Sequence, residues 1–184
     1  MPSASPADAR TLAILVDNEP GVLARVVGLF SARGYNIESL TVAETDRAAH
    51  TSRITVVTRG DPATIDQIKS QLDRIVSVRQ VIDVTMDPGG VLRELALVKV
   101  RSTGQDRIEA LRVSDIFRAK VIDTTLESFI FEVTGASEKI DAFIELVRPI
   151  GLLELSRTGV LSIHRGVETD LSAVMTPAPI ASTR

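Results

Sequence analysis

The 184-residue sequence predicts an α+β fold, two βαββαβ units in tandem. Two observations carry that prediction. Apolar spacing alternates between the two-residue period of strands and the three-to-four-residue period of helices, in the same order in both halves of the chain. The turn cluster Asp87-Pro-Gly-Gly90 divides the halves. Composition agrees: 44% of residues are apolar and 24% charged, average for a folded chain and enough for two small cores.

Residues 1–10 are small and polar with two prolines, and a flexible tail is expected there. Thr11–Val16 is an apolar run of strand length, broken by Asp17-Asn-Glu-Pro-Gly21. From Gly21 the apolar positions take helical spacing, and Gly34 stands where a left-handed C-terminal cap belongs. Residues 36–43 alternate as a strand, residues 46–50 form a short polar connection, and residues 51–58 are β-branched and alternating. Asp61-Pro62 caps a second helix, with Pro at the first helical position where its missing N–H does no harm. Ile65, Ile68, Leu72 and Ile75 line that helix, and residues 78–86 give a fourth strand.

The second half repeats the order, though not the residues. A strand is expected over 91–102, then a helix over 106–117 with Ile108, Leu111 and Ile116 inward. Strands over 120–125 and 129–134 follow, then a helix over 137–148 with Ser137 as N-cap. Residues 152–163 supply one or two last strands around Gly159, and a disordered tail is expected over 167–184. The expected division is a first domain over 11–86, a linker over 87–91 and a second domain over 92–166, both ferredoxin-like in element order. Cores this small are marginal alone, and a four-stranded sheet with helices on one face leaves edges to cover. Pairing with a second copy is the simplest remedy.

Composition removes whole classes of function. There is no Cys, so disulfides, thiolate catalysis and Cys-ligated zinc are excluded. His50 and His164 are the only histidines, too few for a multi-histidine metal site. The formal net charge is −3 and aromatics are 3%, which argues against nucleic acid as a partner. No apolar run reaches the roughly 18 residues a membrane span needs, and the N-terminus has no signal-peptide core, so a cytoplasmic protein is expected. No partnered nucleophile and no phosphate-cradling glycine motif is present, so the residues give no sign of catalysis.

The segment Asp17-Asn18-Glu19-Pro20-Gly21-Val22-Leu23 stands out. A strand ends, the chain turns, and a helix begins at Gly21. Backbone N–H groups at a helix N-terminus, with the helix dipole, suit a carboxylate. Gly21 lets a ligand approach the backbone, and the Asn18 amide oxygen can accept from an ammonium. The residues equally allow a structural role: Asn18 as a cap or turn residue, Gly21 easing the bend.

Residues 17–40, from Asp-Asn-Glu-Pro-Gly to Arg33-Gly-Tyr-Asn-Ile-Glu-Ser-Leu40, closely resemble the ACT domain of the regulatory small subunit of acetohydroxyacid synthase, also called acetolactate synthase. The resemblance continues through Arg53–Val57, Arg93–Val100, Ile116–Arg118, Lys139–Phe143 and Ser156–Gly159, and so covers nearly everything between Leu12 and Gly166. It implies a non-catalytic subunit, homodimeric through its ACT domains. Such a subunit binds a separate catalytic large subunit, activates it, and confers feedback inhibition by a branched-chain amino acid, typically valine. Thiamine diphosphate, magnesium and FAD belong to that large subunit; none is expected on this chain. By the same resemblance, Asn18, Gly21, Val22 and Leu23 of one chain hold the effector's carboxylate and backbone, and Asn36 and Ile37 of the partner chain close the site. Leu23, Ile37 and Leu40 suit the apolar part of the pocket. A hydrophobic pocket separates side chains one methylene apart by only about 1–3 kcal/mol, so the choice among valine, leucine and isoleucine stays open. A stand-alone amino-acid sensor with another partner is the alternative.

Overall fold

The computed structural model describes residues 9–166, which divide into two compact units. Among the described residues the first comprises 9–91 together with 162–166, and the second spans Leu92–Leu161. Residues 1–8 and 167–184, where tails are expected, lie outside the described residues.

In the first unit β1 (Ala9–Asp17), α1 (Val22–Ala32), β2 (Ile37–Asp46), β3 (Thr51–Arg59), α2 (Pro62–Leu72) and β4 (Val78–Asp83) follow in the expected order. The antiparallel sheet runs β2-β3-β1-β4. Period two makes β1 two-sided: Leu12, Ile14 and Val16 enter the core with Val26, Phe30 and Ile68, while Ala13 and Leu15 on the opposite face are also buried. That explains a continuous apolar run in a central strand. Asp61 caps α2 through its side chain, which accepts from the Thr64 N–H at 2.7 Å, and Gly34 takes φ +69° after α1.

The expected bounds need small corrections. β1 begins at Ala9, inside the expected tail, because Ala9 and Arg10 pair with Arg59 and Thr58. β2 extends to Asp46, whose carboxylate then accepts from the N–H groups of Ala48 and Ala49 and shapes the turn to β3. β4 stops at Asp83, and its carboxylate starts the next turn by accepting from the Thr85 N–H at 3.1 Å.

In the second unit β5 (Gly90–Arg101), α3 (Gly104–Phe117), β6 (Lys120–Thr124), β7 (Ser128–Gly135), α4 (Ser137–Gly151) and β8 (Leu152–Arg157) repeat the pattern, with sheet order β6-β7-β5-β8. β9 (Leu161–His164) pairs with β5 off that path. The core packs Val98, Val100, Phe131 and Val133 against Ile140 and Phe143 of α4.

Four expectations fail here. α3 turns the other way: Ala110, Val113 and Ser114 are buried, while Ile108, Leu111 and Ile116 are exposed. The N-cap of α4 is Ala136, and Ser137 instead directs its hydroxyl to Glu94 Oε2 at 3.0 Å. β5 starts at Gly90, within the stretch expected as a linker. Residues 162–166 group with the first unit rather than the second. Arg53 donates to Ser162 Oγ at 3.0 Å, the Arg165 N–H to the Gly89 carbonyl at 2.9 Å, and His164 Nε2 lies 3.1 Å from Asp87 Oδ1. Among the described residues no helix is long and apolar enough to cross a membrane.

Candidate functional site

The turn from β1 into α1 is held from both sides. The Asp17 N–H donates to the Ser77 carbonyl at 2.8 Å, and the Asp17 carboxylate takes Arg79 at 2.6 Å. Glu19 is occupied by the Ser77 hydroxyl at 3.0 Å. The Asn18 N–H donates to the His50 carbonyl at 2.7 Å, which ties the turn to the start of β3. Asn18 is therefore not the N-cap: its Nδ2 donates to Glu44 Oε1 at 3.3 Å.

Gly21 is the N-cap of α1, at φ +85°, in the left-handed region that favours glycine. A Cβ built there meets nothing within 4 Å. The backbone angle, not packing, demands glycine, and the space beside it is open. No side chain caps α1, and its first turn carries no acidic residue. The partial positive charge of the helix end thus faces outward with no carboxylate of its own first turn.

Val22 and Leu23 divide in role. The Val22 side chain belongs to the core, and its N–H already donates to the Glu19 carbonyl at 3.3 Å. Leu23 is 38% exposed beside the helix end. Of the expected pair, only Leu23 has a side chain free to meet a ligand.

Asn36 and Ile37 are elsewhere. Asn36 is exposed and its carbonyl accepts from Thr58 Oγ1 at 2.6 Å; Ile37 opens β2 and, like Leu40, packs against its own core. Asn18 sits beside Glu44, near the other end of the same strand. Eight residues of strand separate Asn36 from Glu44, about 26 Å at 3.3 Å per residue. A single chain does not bring the two halves of the expected site together. Sequence reasoning missed Glu44 and the His50 carbonyl, because both reach Asn18 only through strand pairing: β1 on β3 sets Asp17 opposite Thr51, next to His50, and β2 on β3 sets Glu44 opposite Ser52.

The two units match two family models in succession. Residues 12–80 match the acetohydroxyacid synthase small subunit-like ACT domain, and residues 93–166 match the small subunit of acetolactate synthase. A probable acetolactate synthase small subunit from Archaeoglobus fulgidus is 46% identical over 156 residues, covering 85% of this chain and 96% of that protein. This chain belongs to the acetolactate synthase small-subunit family. The Escherichia coli isozyme 3 small subunit is 43% identical over 158 residues, covering 85% of this chain and 96% of its own. The crystal structure of the small subunit from Thermotoga maritima superposes with a TM-score of 0.77 at 38% identity, covering 87% of this chain and 99% of that one. Membership in the acetolactate synthase small-subunit family makes the first unit an ACT-type regulatory domain and places the protein in branched-chain amino acid biosynthesis.

Proposed function

We propose that this chain is the non-catalytic regulatory subunit that binds the thiamine-diphosphate-dependent large subunit of acetolactate synthase, raises its activity, and makes it sensitive to valine. The large subunit holds thiamine diphosphate, magnesium and FAD, and the complex works in the cytoplasm. Asn18, Gly21, Val22 and Leu23 form the effector's half-site on one chain; Val22, its side chain in the core, serves by holding the helix start in place. Asn36 and Ile37 come from a second copy.

The observation that carries this reading is the separation of the two half-sites along β2. Among the described residues β2 is an edge of its sheet, and edge strands are where sheets of two copies join. Two copies of β2 paired antiparallel about a two-fold axis near Thr41 and Val42 run head to tail. Residue 37 of one then approaches residue 46 of the other. That arrangement places Asn36 and Ile37 of each chain beside Asn18 and Gly21 of its partner, twice per dimer. An isologous contact of this kind is the commonest form of dimer. The effector bridges the two chains, so it stabilises one arrangement of the dimer, and the large subunit responds to that arrangement. Allosteric couplings of this type amount to about 1–3 kcal/mol.

The test is a thermal-shift screen of the full chain against the twenty amino acids, with and without the large subunit. A ligand at 100 times its Kd adds about 2.7 kcal/mol to the folded state. At roughly 2–4 °C per kcal/mol for a chain of this size, valine raises Tm by several degrees and polar amino acids do not. No shift with any branched-chain amino acid in either condition overturns the reading.

A further inference from the structure

We propose that Glu44 is a positioning residue that makes this site select α-amino acids over 2-oxo acids of the same carbon skeleton, by turning the Asn18 amide so that its oxygen faces the ligand. The proposal rests on the effector site given above. An asparagine amide has one accepting end and one donating end of nearly the same shape, and its surroundings decide which end points where. Here the decision falls to a carboxylate. Glu44 Oε1 lies 3.3 Å from Asn18 Nδ2. An ionised carboxylate only accepts, so the NH2 end of Asn18 is committed to Glu44 and Oδ1 is turned away from it. The Asn18 backbone does not compensate by moving, since its N–H is anchored on the His50 carbonyl.

The other charges around the turn are already engaged. Asp17 is paired with Arg79, Glu19 accepts from Ser77, and Asp46 accepts from its own turn. Arg47 approaches Glu44 Oε2 at 3.4 Å, but its side chain is 93% exposed, so solvent screens its charge. Glu44 therefore adds a negative field to the accepting face of Asn18. An α-ammonium brings three donors to that face. A 2-oxo acid brings a carbonyl oxygen, which meets the Asn18 oxygen acceptor to acceptor. A site built to hydrogen-bond a donor rejects an analogue lacking it far more strongly than an apolar pocket rejects a change of one methylene. The distinction matters to a regulator whose proposed partner handles 2-oxo acids: it must read the aminated product against a background of its precursors.

The experiment is isothermal titration of the full chain, with the large subunit added if the chain alone gives no heat. L-valine is compared with 3-methyl-2-oxobutanoate, in wild type, Glu44→Ala and Glu44→Gln. The glutamine variant keeps the size of Glu44 and removes the charge, which covers the case where the alanine variant folds poorly. Wild type is expected to prefer L-valine by at least about tenfold, as a hydrogen bond to a charged group allows. Glu44→Ala is expected to lose most of that preference and Glu44→Gln, whose carbonyl still accepts from Asn18 Nδ2 but whose NH2 end no longer excludes the flipped amide, a part of it, chiefly through weaker L-valine binding. Adding Asn18→Asp to the Glu44→Ala chain restores the preference, because both ends of the new side chain accept. An unchanged ratio in both Glu44 variants overturns the proposal and leaves the site standing. No L-valine binding by wild type, alone or with the large subunit, overturns the site and this proposal with it.

Discussion

Asn18 and Asn36 stand at opposite ends of strand β2: Asn18 is hydrogen-bonded to Glu44, and Asn36 immediately precedes Ile37, where the strand begins. If both residues touch one effector, they do so from different chains. Mixing tests this directly. A dimer of Asn18→Ala chains has no intact site, and neither has a dimer of Asn36→Ala chains. A mixed dimer carries one doubly altered site and one wild-type site. Co-expressed chains, separated by different tags, are expected to bind half the valine of wild type by calorimetry, while each parent dimer binds weakly. Equally weak binding by the mixed dimer disproves a site shared in this way.

Gly21→Asp is expected to abolish valine sensitivity in the reconstituted complex and to leave activation largely intact. The new carboxylate occupies the open space beside the helix end, where the effector's own carboxylate belongs. Gly21→Ala separates charge from strain. It forces a Cβ into φ +85°, at about 1–2 kcal/mol, with nothing to clash against. It should lower Tm by a few degrees and weaken valine far less than the aspartate does. A fully sensitive Gly21→Asp complex moves the site elsewhere.

Glu94 and Arg157 fasten β5 to β8 in the second unit. Arg157 donates to both Glu94 oxygens, at 2.6 and 2.8 Å, and to Asp141 of α4 at 2.6 Å. The Glu94 side chain is 4% exposed. Its burial opposes ionisation, yet the hydrogen bonds from Arg157 and Ser137 and the charge of Arg157 prevail, and Glu94 titrates below the ordinary glutamate range. A depressed carboxylate contributes stability that is complete above its unfolded-state value. That contribution is lost as pH falls from about 4.3 through the lower folded-state value. Urea unfolding at pH 7 and at pH 3 measures it. Arg157→Ala strands a buried charge and is expected to cost about 2–4 kcal/mol at pH 7, with the difference from wild type shrinking at pH 3.

The imidazole of His164 stands where a side chain on Gly89 would go. A Cβ there runs into His164 Nε2, so the ring has to shift to admit it. Gly89→Ala should displace the ring from Asp87 and loosen residues 162–166. Hydrogen exchange at the Arg165 amide, which donates to the Gly89 carbonyl, should speed up by at least about tenfold, corresponding to about 1.4 kcal/mol of lost protection. Unchanged exchange shows that the strand end is held some other way.

Local patterns determined much of this protein. The order of strands and helices, the Asp61 cap, the left-handed Gly34 and the Ile65, Ile68 and Leu72 face of α2 all follow from short-range spacing, and the structure keeps them, while Ile75, expected on the same face, falls in the turn past the helix end. The turn at residues 17–23 was legible as a helix start with an exposed N-terminus because glycine and proline punctuate it. Tertiary structure decided what spacing leaves degenerate. α3 carries two apolar stripes, and packing chose the small one, Ala110 with Val113, so that Ile108, Leu111 and Ile116 face outward. Val22 and Leu23 are neighbours of the same chemistry, and the helix rotation sent one into the core and the other to the surface. The partners of Asn18 lie 26 and 32 residues away in sequence, brought to it only by strand pairing. Periodicity records which faces can be buried; which of them is buried, and which distant atoms meet, depends on long-range contacts that no local pattern encodes.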